Sequence, residues 1–282
     1  MIKLSAFADE AGSSLEEQIK ALKRNGISLL ELRSINGKNV LEFTLEEAKG
    51  YKEELDRNDI KVFSIGSPIG KVDVNVDFNL YLEKVKYVCL LARVFDTDKI
   101  RMFSFFNSYT QPEKVFNYLN EMVKVANSYG VSLYHENEKE IYGDTKERVL
   151  EIINNVKGLK FIYDPANYLQ CGERAQTTLE LFHSKTDYFH IKDVVFDSGE
   201  LVPAGYGDGM IYELINMIQG DKVLTIEPHL AVFDSYKSID NTEMKHKFNF
   251  KNASEAFDFA CLSLKNLLKK AGYKETKGEF IK

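Results

Sequence analysis

Leu133-Tyr134-His135-Glu136-Asn137-Glu138 decides how this chain is read. Val131 to Tyr134 has the character of a buried strand end, and an imidazole, two carboxylates and a carboxamide follow within four residues. Charge at the exit of a buried strand is costly unless it meets a partner or a metal. Three more strand-like runs end in the same way: Phe161-Ile162-Tyr163-Asp164, Tyr188-Phe189-His190-Ile191-Lys192-Asp193 and Leu224-Thr225-Ile226-Glu227-Pro228-His229. The repetition predicts that Glu136, Asp164, His190 and Glu227 converge on one divalent cation.

Outward from this stretch, strand and helix signals alternate along the whole chain. Strands are predicted at Ile2–Phe7, Ile27–Arg33, Ile60–Ile65, Lys99–Phe105, Val131–Tyr134, Leu159–Tyr163, Asp187–Lys192 and Lys222–Ile226. Between them, Ser14 with Glu17 forms a capping box, Thr44 opens a second helix, Asn79–Ala92 is amphipathic, and Pro112 sits in a first helical turn, where its missing N–H costs nothing. Asp144 or Thr145 caps a further helix, Phe257–Lys270 is the closing helix, and the charged tail after Gly272 is expected to fray. No linker or change of composition divides residues 1–282, so one domain is expected. Eight βα units of this length predict a single (β/α)8 TIM barrel in the α/β class. A doubly wound sheet is the weaker alternative, because no Gly-x-Gly-x-x-Gly follows the first strand.

A barrel makes a firm statement about position: side chains at the C-terminal strand ends share one mouth. Glu136, Asp164, His190 and Glu227 fall at such ends, roughly 26 to 37 residues apart, as a βα repeat requires. Alternation places Tyr188, His190 and Lys192 on one face of their strand.

The net charge of −6 argues against a polyanion-tracking surface, so no nucleic-acid partner is expected. Cys89, Cys171 and Cys261 are far apart and form no Cys-x-x-Cys pair, which fits a reducing compartment. With no signal-like region and no long apolar span, a cytoplasmic protein without membrane contact is expected. A homo-oligomer stays open.

Three carboxylates and an imidazole make a hard, oxygen-rich site. It suits Mn²⁺ first, then Mg²⁺ or Co²⁺, with Zn²⁺ as a further option. Glu136 and Glu227, three strands apart, would approach a bound substrate from different sides, one removing a proton and either returning it. The metal would stabilise the enediolate between these steps. Glu138 is an alternative ligand. Among candidate substrate contacts, Asn167 either reads a hydroxyl or is a turn residue, Lys192 either holds a substrate oxygen or phosphate or lies at the surface, and His229 either faces the pocket or caps its loop. Glu31 and Arg33 either reach the substrate or pair with each other, with the pair favoured. Pro203-Ala204-Gly205-Tyr206-Gly207-Asp208-Gly209 precedes a helix and could admit an anion, although a tight loop explains it equally well. His246 lies in a long connection that could form part of a lid.

In these residues the chain resembles the xylose isomerase-like TIM-barrel superfamily, within it the sugar phosphate isomerase/epimerase group. The resemblance is carried by Phe7-Ala8-Asp9-Glu10, Leu30-Glu31-Leu32-Arg33, His135-Glu136-Asn137-Glu138, Ile141-Tyr142-Gly143-Asp144-Thr145, Asp164-Pro165-Ala166-Asn167, His190-Ile191-Lys192-Asp193, Pro203–Gly209 and Glu227-Pro228-His229-Leu230. It implies a metal held by Glu136, Asp164, His190 and Glu227, with the two glutamates as the acid/base pair. Ketose 3-epimerases of the group carry a histidine where this chain has Asn167. They also carry an arginine after the seventh strand, for which Lys192 is a partial substitute. An aldose–ketose or inositol-derivative substrate therefore stays open. The expected function is a metal-dependent isomerase or epimerase acting on a small sugar, sugar phosphate or cyclitol. The alternatives are a dehydratase of an inositol-type substrate, an apurinic-site endonuclease and a non-catalytic polyol-binding barrel.

Overall fold

The computed structural model describes residues 1–231 and 248–282, so His246 lies outside the described residues. Eight parallel strands form a closed ring: β1 (Ile2–Ala6), β2 (Leu29–Leu32), β3 (Lys61–Ile65), β4 (Lys99–Met102), β5 (Ser132–Glu136), β6 (Lys160–Tyr163), β7 (Tyr188–Ile191) and β8 (Lys222–Ile226). Each pairs with the next, and β8 closes on β1 in parallel register from Ile2↔Lys222 to Ala6↔Ile226. The expected single (β/α)8 barrel is the fold observed.

Helices α1 (Leu15–Arg24), α2 (Leu45–Arg57), α3 (Phe78–Val94), α4 (Pro112–Ser128) and α5 (Lys146–Asn155) follow the first five strands. α6 (Pro165–Gln170) and α7 (Ala175–Phe182) follow β6, α8 (Ile211–Met217) follows β7, and α9 (Ala253–Lys270) comes after β8. Their starts are chemically specified. Ser14 and Glu17 form the expected capping box, as do Thr44 and Glu47. α9 begins a turn before the predicted start, because the Asn252 side chain accepts from Glu255 N–H. Among the described residues no helix is long and apolar enough to cross a membrane.

The strands' inward faces change character along their length. Near the strand starts, Tyr134, Ile162 and Tyr188 pack with Phe63 and Val223. Two or four residues further on, the same faces carry Glu136, Asp164, His190, Thr225 and Glu227, all buried. The apolar layer closes the barrel floor and the polar layer forms its mouth, the end where such barrels carry chemistry.

The tail does not fray. Lys274–Thr276 and Glu279–Ile281 form a hairpin whose second strand pairs antiparallel with β1, Ile2 opposite Phe280 and Lys3 opposite Glu279. β1 pairs with β2 only at Ser5 and Ala6, which leaves its start free for this partner. Phe280 is fully buried there and Glu279 bonds Lys3 at 2.8 Å. Phe280→Ala is expected to destabilise the protein by about 3–5 kcal/mol, read from urea unfolding. A loss below about 1 kcal/mol would show that the hairpin is not docked.

Candidate metal and acid/base centre

The C-terminal strand ends bring Glu136, Asp164, His190 and Glu227 together, with one ligand atom from each lying within 4.8 Å of the others. Each side chain is fixed by its neighbours. Asn137 ties the ends of β5 and β6 together: its amide donates to Asp164 O and accepts from Asp164 N, both at 2.9 Å. Asp164 is also the N-cap of α6, Oδ1 accepting from Asn167 N–H at 3.0 Å. Pro165 at the first helical position sharpens this turn. Its other oxygen, Oδ2, stands 3.0 Å from Lys192 Nζ.

Glu136 Oε1 meets His190 Nδ1 at 2.9 Å and Asn167 Nδ2 at 3.3 Å, while Oε2 meets Arg101 Nη1 at 3.2 Å. Glu227 Oε1 accepts from Arg33 Nη1 at 3.0 Å, and Oε2 lies 3.1 Å from His190 Nδ1. His229 Nε2 is near Glu10 at 3.3 Å and Glu227 at 3.5 Å. Asn167, Lys192, His229 and Arg33 are therefore all at the centre. Glu138 is outside it and pairs with Lys71 at 2.9 Å.

The favoured Glu31–Arg33 pair does not form, although both side chains point inward. Arg33 makes a two-pronged bond to Asp9 at 2.9 Å and reaches Glu10 and Glu227. Glu31 accepts from Tyr188, Thr225 and His190 Nε2 instead. The expectation named neither Arg101 nor the roles of Asp9, Glu10 and Asn137. Arg101 was discoverable from β4, where alternation with Lys99 puts a guanidinium on one face near the strand end. Phe7 lies between the two guanidiniums, 4.3 Å from that of Arg33 and 4.9 Å from that of Arg101. Gly66 makes room for this ring, since a Cβ there would come within 2.6 Å of Phe7.

The glycine-rich loop does not present an open anion site. The Asp193 carboxylate accepts from the N–H groups of Val194, Gly205, Gly207 and Gly209 at 2.8–3.1 Å. A Cβ at Gly207 or Gly209 would fall 2.5 or 2.7 Å from Asp193 Oδ1, which is why those positions are glycine. The tight-loop explanation holds.

The electrostatics are those of crowded acids. Burial raises the Asp164 carboxyl to about 7 against the pull of Lys192. Burial likewise lifts Glu10 to about 8 against Arg33. His190 is raised well above its ordinary value, because the charges of Glu136 and Glu31 outweigh its burial. Glu227 lies well below the usual carboxylate range: its burial is overcome by Lys192, His190 and His229. Among the described residues, Asp164 Oδ2 and Glu227 Oε2 are buried acceptors without an aligned hydrogen bond, although Lys192 Nζ stands 3.0 Å from the first and His190 Nδ1 3.1 Å from the second. Oxygen ligand atoms crowded around one imidazole nitrogen fit a divalent cation.

A closed βα barrel with this polar mouth defines the class: a (β/α)8 barrel organised for chemistry at its C-terminal strand ends. The chain belongs to the xylose isomerase-like TIM barrel family, whose model matches residues 19–242. A search of curated proteins by sequence finds no match. Among solved structures, a D-psicose 3-epimerase determined in the presence of D-fructose is similar at TM-score 0.73 and 13% identity, over 96% of this chain and 99% of that one. The IOLI protein with a binding zinc atom is similar at TM-score 0.71 and 16% identity, over 95% and 99%. The probable 3-DHS dehydratase AsbF of Bacillus anthracis is similar at TM-score 0.71 and 17% identity, over 95% and 98%. At these identities the likeness is one of fold.

Proposed function

We propose that the protein is a divalent-metal-dependent isomerase or epimerase of a small sugar, sugar phosphate or cyclitol derivative. The observation that carries this is the convergence of Glu136, Asp164, His190 and Glu227 within 4.8 Å at the barrel mouth. These four residues would hold the cation, Mn²⁺ first and Mg²⁺, Co²⁺ or Zn²⁺ otherwise. When bound, it would polarise a substrate carbonyl and stabilise the enediolate left by proton removal. Glu136 and Glu227 are the acid/base pair. Asn167 holds Glu136 and Arg33 holds Glu227, while Arg101 and His190 Nδ1 stand between the two and reach both. Asn167, Lys192, His229 and Arg33 are placed to meet substrate oxygens. The zinc of the IOLI structure and the sugar chemistry of the D-psicose 3-epimerase support this reading.

A dehydratase is the second reading. It is supported by the likeness in fold to the probable 3-DHS dehydratase AsbF. One experiment separates the two. The Mn²⁺-loaded protein is incubated in D₂O with ketoses, aldoses, their phosphates and inososes, and the products are followed by NMR. Deuterium entering at one carbon with the substrate's formula otherwise retained is the expected result. Loss of water establishes the dehydratase, and no exchange with any member overturns the isomerase reading.

A further inference from the structure

We infer that Glu31 is a positioning residue that sets which nitrogen of His190 meets the cation. Its carboxylate accepts a hydrogen bond from Nε2–H, which keeps the proton on Nε2 and leaves Nδ1 as the ligand atom. The inference rests on the metal-centred reading above and deepens it.

Glu31 sits on β2 in the barrel interior, fully buried, at a depth where these barrels usually carry branched apolar side chains. A carboxylate there is costly unless its oxygens are well satisfied. They are. The Tyr188 hydroxyl donates to Oε1 at 2.8 Å. The Thr225 hydroxyl and His190 Nε2 approach Oε2 at 2.9 and 3.2 Å. β7 and β8 thus supply three donors to one acid from β2, and the acid lies at the far end of the imidazole from the cluster. At the near end, Nδ1 faces Glu136 Oε1 at 2.9 Å and Glu227 Oε2 at 3.1 Å.

The ring has no second orientation of equal quality. Turning it over would set carbon atoms against Glu31, Glu136 and Glu227. Phe7 packs edge to face on it, with centroids 5.2 Å apart and planes at 82°. A neutral imidazole carries one proton, so an acceptor that claims Nε2–H frees the Nδ1 lone pair. Outer partners of this kind orient metal-binding histidines, and removing them typically lowers metal affinity 10–100-fold. An acid that merely filled a buried niche would not govern which nitrogen binds.

Two measurements test this. In isotope-labelled wild-type protein loaded with cadmium, scalar coupling between the metal and nitrogen is expected on His190 Nδ1, with the proton on Nε2. Coupling on Nε2 overturns the inference, and this reading needs no variant. Mn²⁺ affinity is then followed through the electron paramagnetic resonance signal of the free ion. Glu31→Gln is expected to weaken binding about 10–100-fold. Thr225→Val removes another donor from the same carboxylate without touching the imidazole, and should stay within about threefold of wild type. A Glu31→Gln variant that binds Mn²⁺ like wild type overturns the positioning role while the metal centre stands. Wild-type protein that binds no divalent cation overturns the metal centre itself, and the inference with it.

Discussion

Glu227→Gln is expected to slow substrate hydrogen exchange with solvent by about 10²–10⁴-fold, the contribution of one well-placed general acid or base. The variant removes basicity with little change of shape. Arg33 Nη1 now bonds Glu227 Oε1 at 3.0 Å and would keep a carbonyl acceptor in glutamine. Arg33 also stays bound to Asp9 and Glu10, so no guanidinium is stranded in the core. The lost function is the ability to take a proton. Because Glu227 is also assigned to the cation, the assay is run at saturating Mn²⁺ with bound metal measured alongside. The two-base arrangement adds a directional signature. With each glutamate serving one face of the reacting carbon, Glu227→Gln stops exchange from one epimer and Glu136→Gln stops it from the other. Wild-type exchange in metal-loaded Glu227→Gln would remove Glu227 from proton transfer.

The barrel and the four residues at its centre were legible in the sequence for one reason. A βα repeat fixes the height of each strand end, and the period of two fixes which side chains face inward. Together they place His190 and Glu227 at one mouth, although 37 residues separate them. The partners were harder to read. Glu31 and Arg33 share a strand face, which suggested a pair. Residues two apart on a strand are about 7 Å apart, however, and each finds closer neighbours across the barrel. Tyr188, Thr225, His190 and Glu227 come from β7 and β8, which only closure of the ring brings to β2, while Asp9 follows the adjacent strand β1.

The glycine-rich loop shows a similar limit. Its amides do collect around an anion, as the glycines suggested. That anion is the chain's own Asp193, twelve residues before Gly205. Composition gave the chemistry of the loop but not the identity of its occupant. In the tail, charge outweighed a single aromatic in the reading, whereas burial of Phe280 against β1 decides the structure.

Saturating Mn²⁺ is expected to raise the melting temperature by about 7 °C, and chelation to reverse the gain. An ion that binds only the folded state stabilises it by about 4.1 kcal/mol at a concentration of 1,000 Kd. Unfolding entropy of about 2.1 cal/mol/K per residue over 282 residues comes to about 0.6 kcal/mol/K, and the ratio gives the shift. The cluster is not bare without the ion. Lys192 stands 3.0 Å from Asp164, Arg101 3.2 Å from Glu136 and Arg33 3.0 Å from Glu227, so the barrel folds with its acids partly balanced. An ion would add a ligand contact for Asp164 Oδ2 and Glu227 Oε2, whose present neighbours are Lys192 Nζ at 3.0 Å and His190 Nδ1 at 3.1 Å. Asp164→Asn isolates that term. Asparagine is as good an N-cap as aspartate, so the start of α6 is kept while a charged ligand oxygen is lost. The Mn²⁺ shift should then fall below about 2 °C, which corresponds to about 1 kcal/mol. A full shift in Asp164→Asn would take Asp164 out of the ligand set. A wild-type melting temperature unmoved by Mn²⁺, Mg²⁺, Co²⁺ or Zn²⁺ would mean that the three acids and the imidazole are held together by Arg33, Arg101 and Lys192 alone.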